Sequence, residues 1–139
     1  MSISAGSYVG LETPDEPGST TNGEETMRYL ILIYENEATA PQDEGEFGKW
    51  MEYTERLKAS GCYLGGEALQ PTTTATTVRR QDGELLTTDG PFAETKEQLG
   101  GYYMLDCKDL DEALGWAADI PSVGRGPVEV RPIMEFSQA

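Results

Sequence analysis

Four ionisable side chains, Asp89, Glu94, Lys96 and Glu97, stand close together in the stretch from Thr88 to Gly101. The stretch also holds a Gly-Pro turn and ends in a glycine pair. Ordinary connections in compact domains run about 4–6 residues, so a longer, charge-rich one reads as a functional loop. The chain has no histidine. Acid–base work near neutral pH therefore falls to carboxylates, Lys or Tyr with displaced pKa values. Asp89 leads as the catalytic candidate because it precedes Gly90-Pro91 at a strand end, where its side chain can be fixed beside a cleft. A second role is open to it: Asp commonly accepts hydrogen bonds from a turn backbone, and that preference is the stronger of the two.

Candidate ligand-binding residues are Tyr34, Glu67, Lys96, Tyr103 and Arg131. Lys96 has the chemistry to bind a carboxylate or enolate, although a solvated surface charge explains it as well. Glu67 follows two glycines in an apolar strand, and a buried carboxylate needs a partner. Arg131 on the last strand is the expected one, as a structural pair or as a ligand clamp. Tyr34 and Tyr103 are expected to line a cavity with the polar residues of the last strand, or else to pack in an interface. No cofactor is expected. No metal site is expected either, because the chain lacks histidine, a CxxC pair and a carboxylate cluster at ligand spacing. Gly65-Gly66 and Gly100-Gly101 do not form a phosphate loop.

The elements that must position these residues follow from hydrophobic patterning. Arg28 to Tyr34 is nearly continuous in strand formers, as for a strand covered on both faces. Asp43 to Ser60 has helical spacing in Phe47, Trp50, Met51, Thr54, Leu57 and Lys58, with Gly61 suited to the position beyond its end. Cys62 to Leu69 is a second strand whose glycines mark a bulge or a close backbone approach. Thr73 to Arg80 and Glu84 to Thr88 flank Asp82-Gly83, a strong hairpin signal. Gly101 to Cys107 is a further strand. Asp109 and Glu112 have capping-box spacing ahead of a helix with Leu110, Ala113, Leu114 and Ala117 on one face. The last strand, Val128 to Phe136, contains Pro132, which suits an edge position or a bulge.

Apart from the hairpin, the order is β-α-β-β-α-β. This predicts an α+β, ferredoxin-like fold with an inserted β-hairpin. Both helices are expected on one face of a four-stranded sheet. The bare face is apolar too, so two sheets are expected to pair face to face in a homodimer.

Residues 1–26 combine Gly, Pro, Ser and Thr with five acids and no base, the composition of a disordered acidic tail. The domain is expected over 27–139. The full chain carries a formal charge of −15, and its ten basic residues are scattered, which argues against nucleic acid and anionic membrane surfaces as partners. No apolar run approaches the roughly 20 residues of a membrane span. With only two cysteines and no signal-peptide pattern at the N-terminus, a cytoplasmic location is expected.

Several blocks then carry a resemblance. Leu30 to Tyr34, Gly65-Gly66-Glu67-Ala68-Leu69-Gln70-Pro71, Thr87 to Glu97, Gly100-Gly101-Tyr102-Tyr103, Leu110 to Ala113 and Val128 to Ile133 together resemble the YCII-related family. More narrowly they resemble its DGPF branch, named for Asp89-Gly90-Pro91-Phe92. The resemblance covers essentially all of 27–139. It implies a dimeric α/β barrel and a regulatory setting, since DGPF-type proteins are often associated with extracytoplasmic-function sigma factors. The wider family includes members with a proposed His–Asp active pair and a few dehalogenating enzymes. That machinery does not carry over to a chain without histidine. Two functions follow as expectations: a small-molecule-binding or regulatory module on a homodimeric scaffold, or an isomerase- or lyase-type enzyme using Asp89.

Overall fold

The computed structural model describes residues 20–21 and 24–136. Most of the tail expected over 1–26 lies outside them. Of its described part, β1 (Thr20–Thr21) pairs antiparallel with β2 (Glu24–Glu25), and Thr26 is buried. The domain then runs β3 (Met27–Glu35), α1 (Glu44–Ser60), β4 (Tyr63–Ala68), β5 (Thr76–Gln81), β6 (Glu84–Asp89), β7 (Gln98–Cys107), α2 (Leu110–Ala118) and β8 (Val128–Pro132). The main sheet has the order β4-β7-β3-β8 and is antiparallel throughout. That is the ferredoxin-like α+β arrangement, with β5–β6 inserted as a separate hairpin. In the hairpin turn both Asp82 and Gly83 have positive φ, the twist that a two-residue turn needs to continue two right-twisted strands. β8 is an edge strand, and Pro132 closes it where no further neighbour needs its missing N–H.

Alternation along the strands decides which face meets the helices. Tyr29, Ile31 and Ile33 of β3 and Tyr103, Leu105 and Cys107 of β7 are buried beneath α1 and α2. Leu30, Leu32, Tyr34, Tyr102 and Met104 point the other way and are half-buried. Among the described residues, no helix covers that second face.

Both helices are capped as their sequences require. Asp43 Oδ1 accepts from the Glu46 N–H at 2.8 Å, and Gly61 takes the left-handed position beyond α1. Asp109 caps α2 through Glu112 N–H at 2.9 Å, while Glu112 reaches back to the N–H of Lys108.

The buried helix faces differ from those expected. In α1 the inward residues are Glu46, Tyr53 and Leu57 with half-buried Trp50, whereas Phe47 and Met51 are exposed. In α2 they are Ala113 and Ala117, with Ile120 beyond its end, and Leu110 and Leu114 are exposed. Aromatic packing accounts for the rotation. Tyr53 lies edge-on to Tyr103 and Trp116, and its hydroxyl donates to the Trp116 carbonyl at 2.7 Å. Small alanines let α2 come close to the sheet, and larger leucines on that side would hold it off.

Candidate functional site

Where β3 and β4 end and β7 begins, the sheet and the first half of α1 enclose a cavity of about 550 Å³. Ile33, Gly101 and Tyr103 contribute from the sheet, and Phe47, Trp50 and Thr54 from α1. Tyr63 and the segment from Gly66 to Pro71 close one side. The size suits a small organic ligand.

Close backbone approach shapes the wall between β4 and β7. A side chain at Gly66 would place its Cβ 2.7 Å from the Tyr102 carbonyl oxygen and from the Tyr103 ring, and one at Gly101 would lie 2.9 Å from the Glu67 carbonyl oxygen. No Cβ fits at either position, which is why the strands carry glycine there. Gly100 is the extra residue where the β3–β7 register shifts, and its carbonyl accepts from Leu69 N–H at 2.8 Å.

Three glutamates and no Lys or Arg line the cavity. Their situations differ. Glu35 is held by Arg125, Nε to Oε2 at 2.5 Å, and the same guanidinium donates to Glu46 Oε2 at 2.6 Å. Glu46 also accepts from Trp50 Nε1 at 2.9 Å, so the rim charges and the Trp50 ring form one network. Burial alone would raise the Glu46 carboxyl. Hydrogen bonds from Arg125 and Trp50, with the charges of Arg125 and Lys49, outweigh it and hold the group below its ordinary value. Glu37 is fixed by the backbone N–H of Thr72 at 3.1 Å and by the Thr72 hydroxyl, while its own N–H donates to Gln98 Oε1 at 2.9 Å. The Glu67 side chain is exposed and makes no hydrogen bond or ion pair among the described residues. Its register partner is Tyr102, so it leaves β4 on the face away from α1 and reaches the cavity only at its rim, around the sheet edge.

The phenols are not bases here. Burial raises Tyr103, although the contact with Thr54 Oγ1 at 2.6 Å opposes it. Burial, then Tyr103 and Glu67, raises Tyr63. Both remain neutral near pH 7 and serve as hydrogen-bonding walls. The cavity thus combines aromatic walls with three carboxylates, one of them unengaged among the described residues.

Of the sequence candidates, Glu67 and Tyr103 lie on this cavity. Tyr34 and Arg131 meet on the opposite face of the sheet, both on Glu129: Tyr34 Oη to Oε1 at 3.4 Å and Arg131 Nη2 to Oε2 at 2.7 Å. The expected Glu67–Arg131 pair does not form, because β4 and β8 are opposite edges of the sheet. Nor do Tyr34 and Tyr103 share a surface, since Tyr103 points toward the helices. Asp89 is the exposed last residue of β6, and Lys96 is exposed in the loop that follows. Neither lines the cavity. The loop still contributes through its far end, where Gln98 reaches the Glu37 N–H.

Sequence reasoning missed Glu37 and the Arg125–Glu46–Trp50 network. A signal for the cavity was nonetheless present. The Gly65–Pro71 and Gly100–Tyr103 blocks both line it, whereas Asp89-Gly90-Pro91-Phe92 does not.

A family model for the YCII-related domain matches residues 27–137. The chain belongs to that family. This YCII-related protein is also similar to the uncharacterized protein R00369 of Rhizobium meliloti (strain 1021), with 40% identity over 114 residues, spanning 77% of this chain and 92% of the relative. Among the described residues of the YCII-related domain, no helix is long and apolar enough to cross a membrane.

Proposed function

We propose that this YCII-related protein is a binding module for a small organic molecule with an apolar or aromatic body and a cationic head. The observation that carries this reading is the lining: aromatic walls from Phe47, Trp50 and Tyr63, three glutamates, and no basic side chain. An aromatic face beside a carboxylate attracts an amine or amidine and repels a carboxylate of the same size. Glu35 and Glu37 already have partners, so Glu67, unengaged at the cavity rim on the β4 edge, is the group that meets the head.

Titrating the protein with matched amines and carboxylates, followed by Trp50 fluorescence or calorimetry, tests this. Amines should bind and carboxylates should not. Glu67→Gln should weaken an amine by about tenfold or more, as expected for a hydrogen bond to a charged group worth about 1.5–3 kcal/mol. Preference for carboxylates, or amine binding indifferent to Glu67→Gln, would overturn the assignment.

The scaffold for this module is a homodimer. Support comes from the helix-free face, where Leu30, Leu32, Tyr34, Tyr102 and Met104 form an apolar patch that a second copy would cover. Sedimentation at micromolar concentration should give a dimer mass, and Leu32→Glu should give a monomer. A wild-type monomer would sink the pairing.

A further inference from the structure

Away from the cavity, three residues far apart in sequence meet at the opposite end of the β4–β7 pair. Cys62 lies between Gly61 and β4, Cys107 is the last residue of β7, and Glu112 is in the first turn of α2. Their two Sγ atoms and a carboxylate oxygen all lie within 4.8 Å of one another, and Cys62 Sγ is 3.6 Å from Glu112 Oε2. Cys107 is fully buried, Cys62 almost so, and Glu112 half-buried. We infer that Cys62, Cys107 and Glu112 form a binding site for a thiophilic divalent cation of the Zn(II) class.

The distances suit such an ion. Zinc–sulfur bonds of about 2.3 Å and zinc–oxygen bonds of about 2.0–2.2 Å at a tetrahedral angle place sulfur and oxygen about 3.6 Å apart. The ligand set is soft enough to prefer Zn(II) over Mg(II) or Ca(II), which take oxygen ligands. Charge argues the same way. The charged side chains that bear on Cys107 are Glu112 and Asp106, with no Lys or Arg among them. A nucleophilic or redox-active thiol is found beside cations, whereas this pair sits among acids, where a bound cation would be neutralised. Glu112 is held for the role: its other oxygen accepts from Lys108 N–H at 2.8 Å, which orients the carboxylate as metal ligands are commonly oriented. Glu112 is the most exposed of the three, which leaves the fourth position to water. Since none of the three residues lines the cavity, the site is independent of ligand binding there. It pins the end of the central sheet to α2.

The test uses the full reduced chain with Cd²⁺ as an optical probe and Zn²⁺ as competitor. One Cd²⁺ per chain should bind with an ultraviolet thiolate-to-cadmium charge-transfer band, Zn²⁺ should displace it, and Zn²⁺ should raise Tm. Cys62→Ser should reduce the band by about half or more, since one of two thiolates is lost. Glu112→Gln keeps a residue able to cap the helix and should weaken binding by about tenfold or more. Circular dichroism of that variant reports whether the fold persists, so an unfolded Cys107→Ser variant would not obscure the answer. Binding without the band would assign the metal to surface carboxylates and overturn the inference. So would a band unchanged in Cys62→Ser. A protein that binds no metal but forms a Cys62–Cys107 disulfide on air oxidation, seen as a loss of two hydrogens by mass, would overturn it too.

Discussion

Replacing Arg125 with alanine should be among the most damaging changes outside the hydrophobic core. The guanidinium is one-third exposed, but its partners are not: the Glu35 and Glu46 side chains are 16% and 8% exposed. Removing one partner of a fully buried pair costs about 3–5 kcal/mol, and an exposed pair is worth about 0–1 kcal/mol. With two short contacts to two largely buried carboxylates, we place Arg125→Ala between these limits, at about 2–3 kcal/mol. For a domain of this size 1 kcal/mol moves Tm by about 4 °C, so the loss should be about 10 °C in a thermal melt followed by circular dichroism. Its pH dependence is diagnostic. Folding lowers the Glu46 carboxyl from its ordinary 4.5, so the pair contributes stability above that value and loses it as pH falls through the folded pKa. In Arg125→Ala, burial is opposed only by Trp50 and Lys49, and protonating Glu46 relieves the variant. The gap between wild type and variant should therefore be widest at neutral pH and close below 4.5. A gap of about 2 °C or less at pH 7, or one that stays constant well below 4.5, would refute the reasoning, since a shift that small corresponds to less than about 1 kcal/mol.

Gly66→Ala should cost about 1–3 kcal/mol by overpacking against the Tyr102 backbone, whereas Gly65→Ala, with nothing within 4 Å of its Cβ, should be far milder in the same denaturant titration. Tyr53→Phe should cost about 1 kcal/mol, because the Trp116 carbonyl loses its donor while the ring packing is kept. Asp89→Asn should change stability by less than about 0.5 kcal/mol, since the side chain is exposed and without partners among the described residues. It should also leave amine binding in the cavity unaltered; loss of binding would return Asp89 to the site.

Much of the fold was legible because its signals are local. Caps at Asp43, Gly61 and Asp109, the Asp82-Gly83 turn and the apolar runs of β3 and β7 each depend on a few neighbouring residues, and each formed as expected. The buried helix faces were less legible. Hydrophobicity ranks Leu110, Leu114, Phe47 and Met51 above Ala113, Tyr53 and Glu46. Proximity to the sheet rewards a small side chain, and a tyrosine whose hydroxyl finds a carbonyl buries as well as a leucine.

The site failed for a reason that the fold itself contained. Once the order β-α-β-β-α-β is read as ferredoxin-like, β4 and β8 must be opposite edges, and a Glu67–Arg131 contact is excluded by topology. Charge and spacing drew attention to Asp89, but it ends a strand of the inserted hairpin, which forms a sheet separate from the one that builds the cavity. The more informative residues had no charge. Gly66 meets the Tyr102–Tyr103 backbone and Gly101 the Glu67–Ala68 backbone, where any Cβ would collide, and the two strands form one wall of the cavity. A glycine in a strand reports where two backbones must touch, and here that contact builds one wall of the cavity.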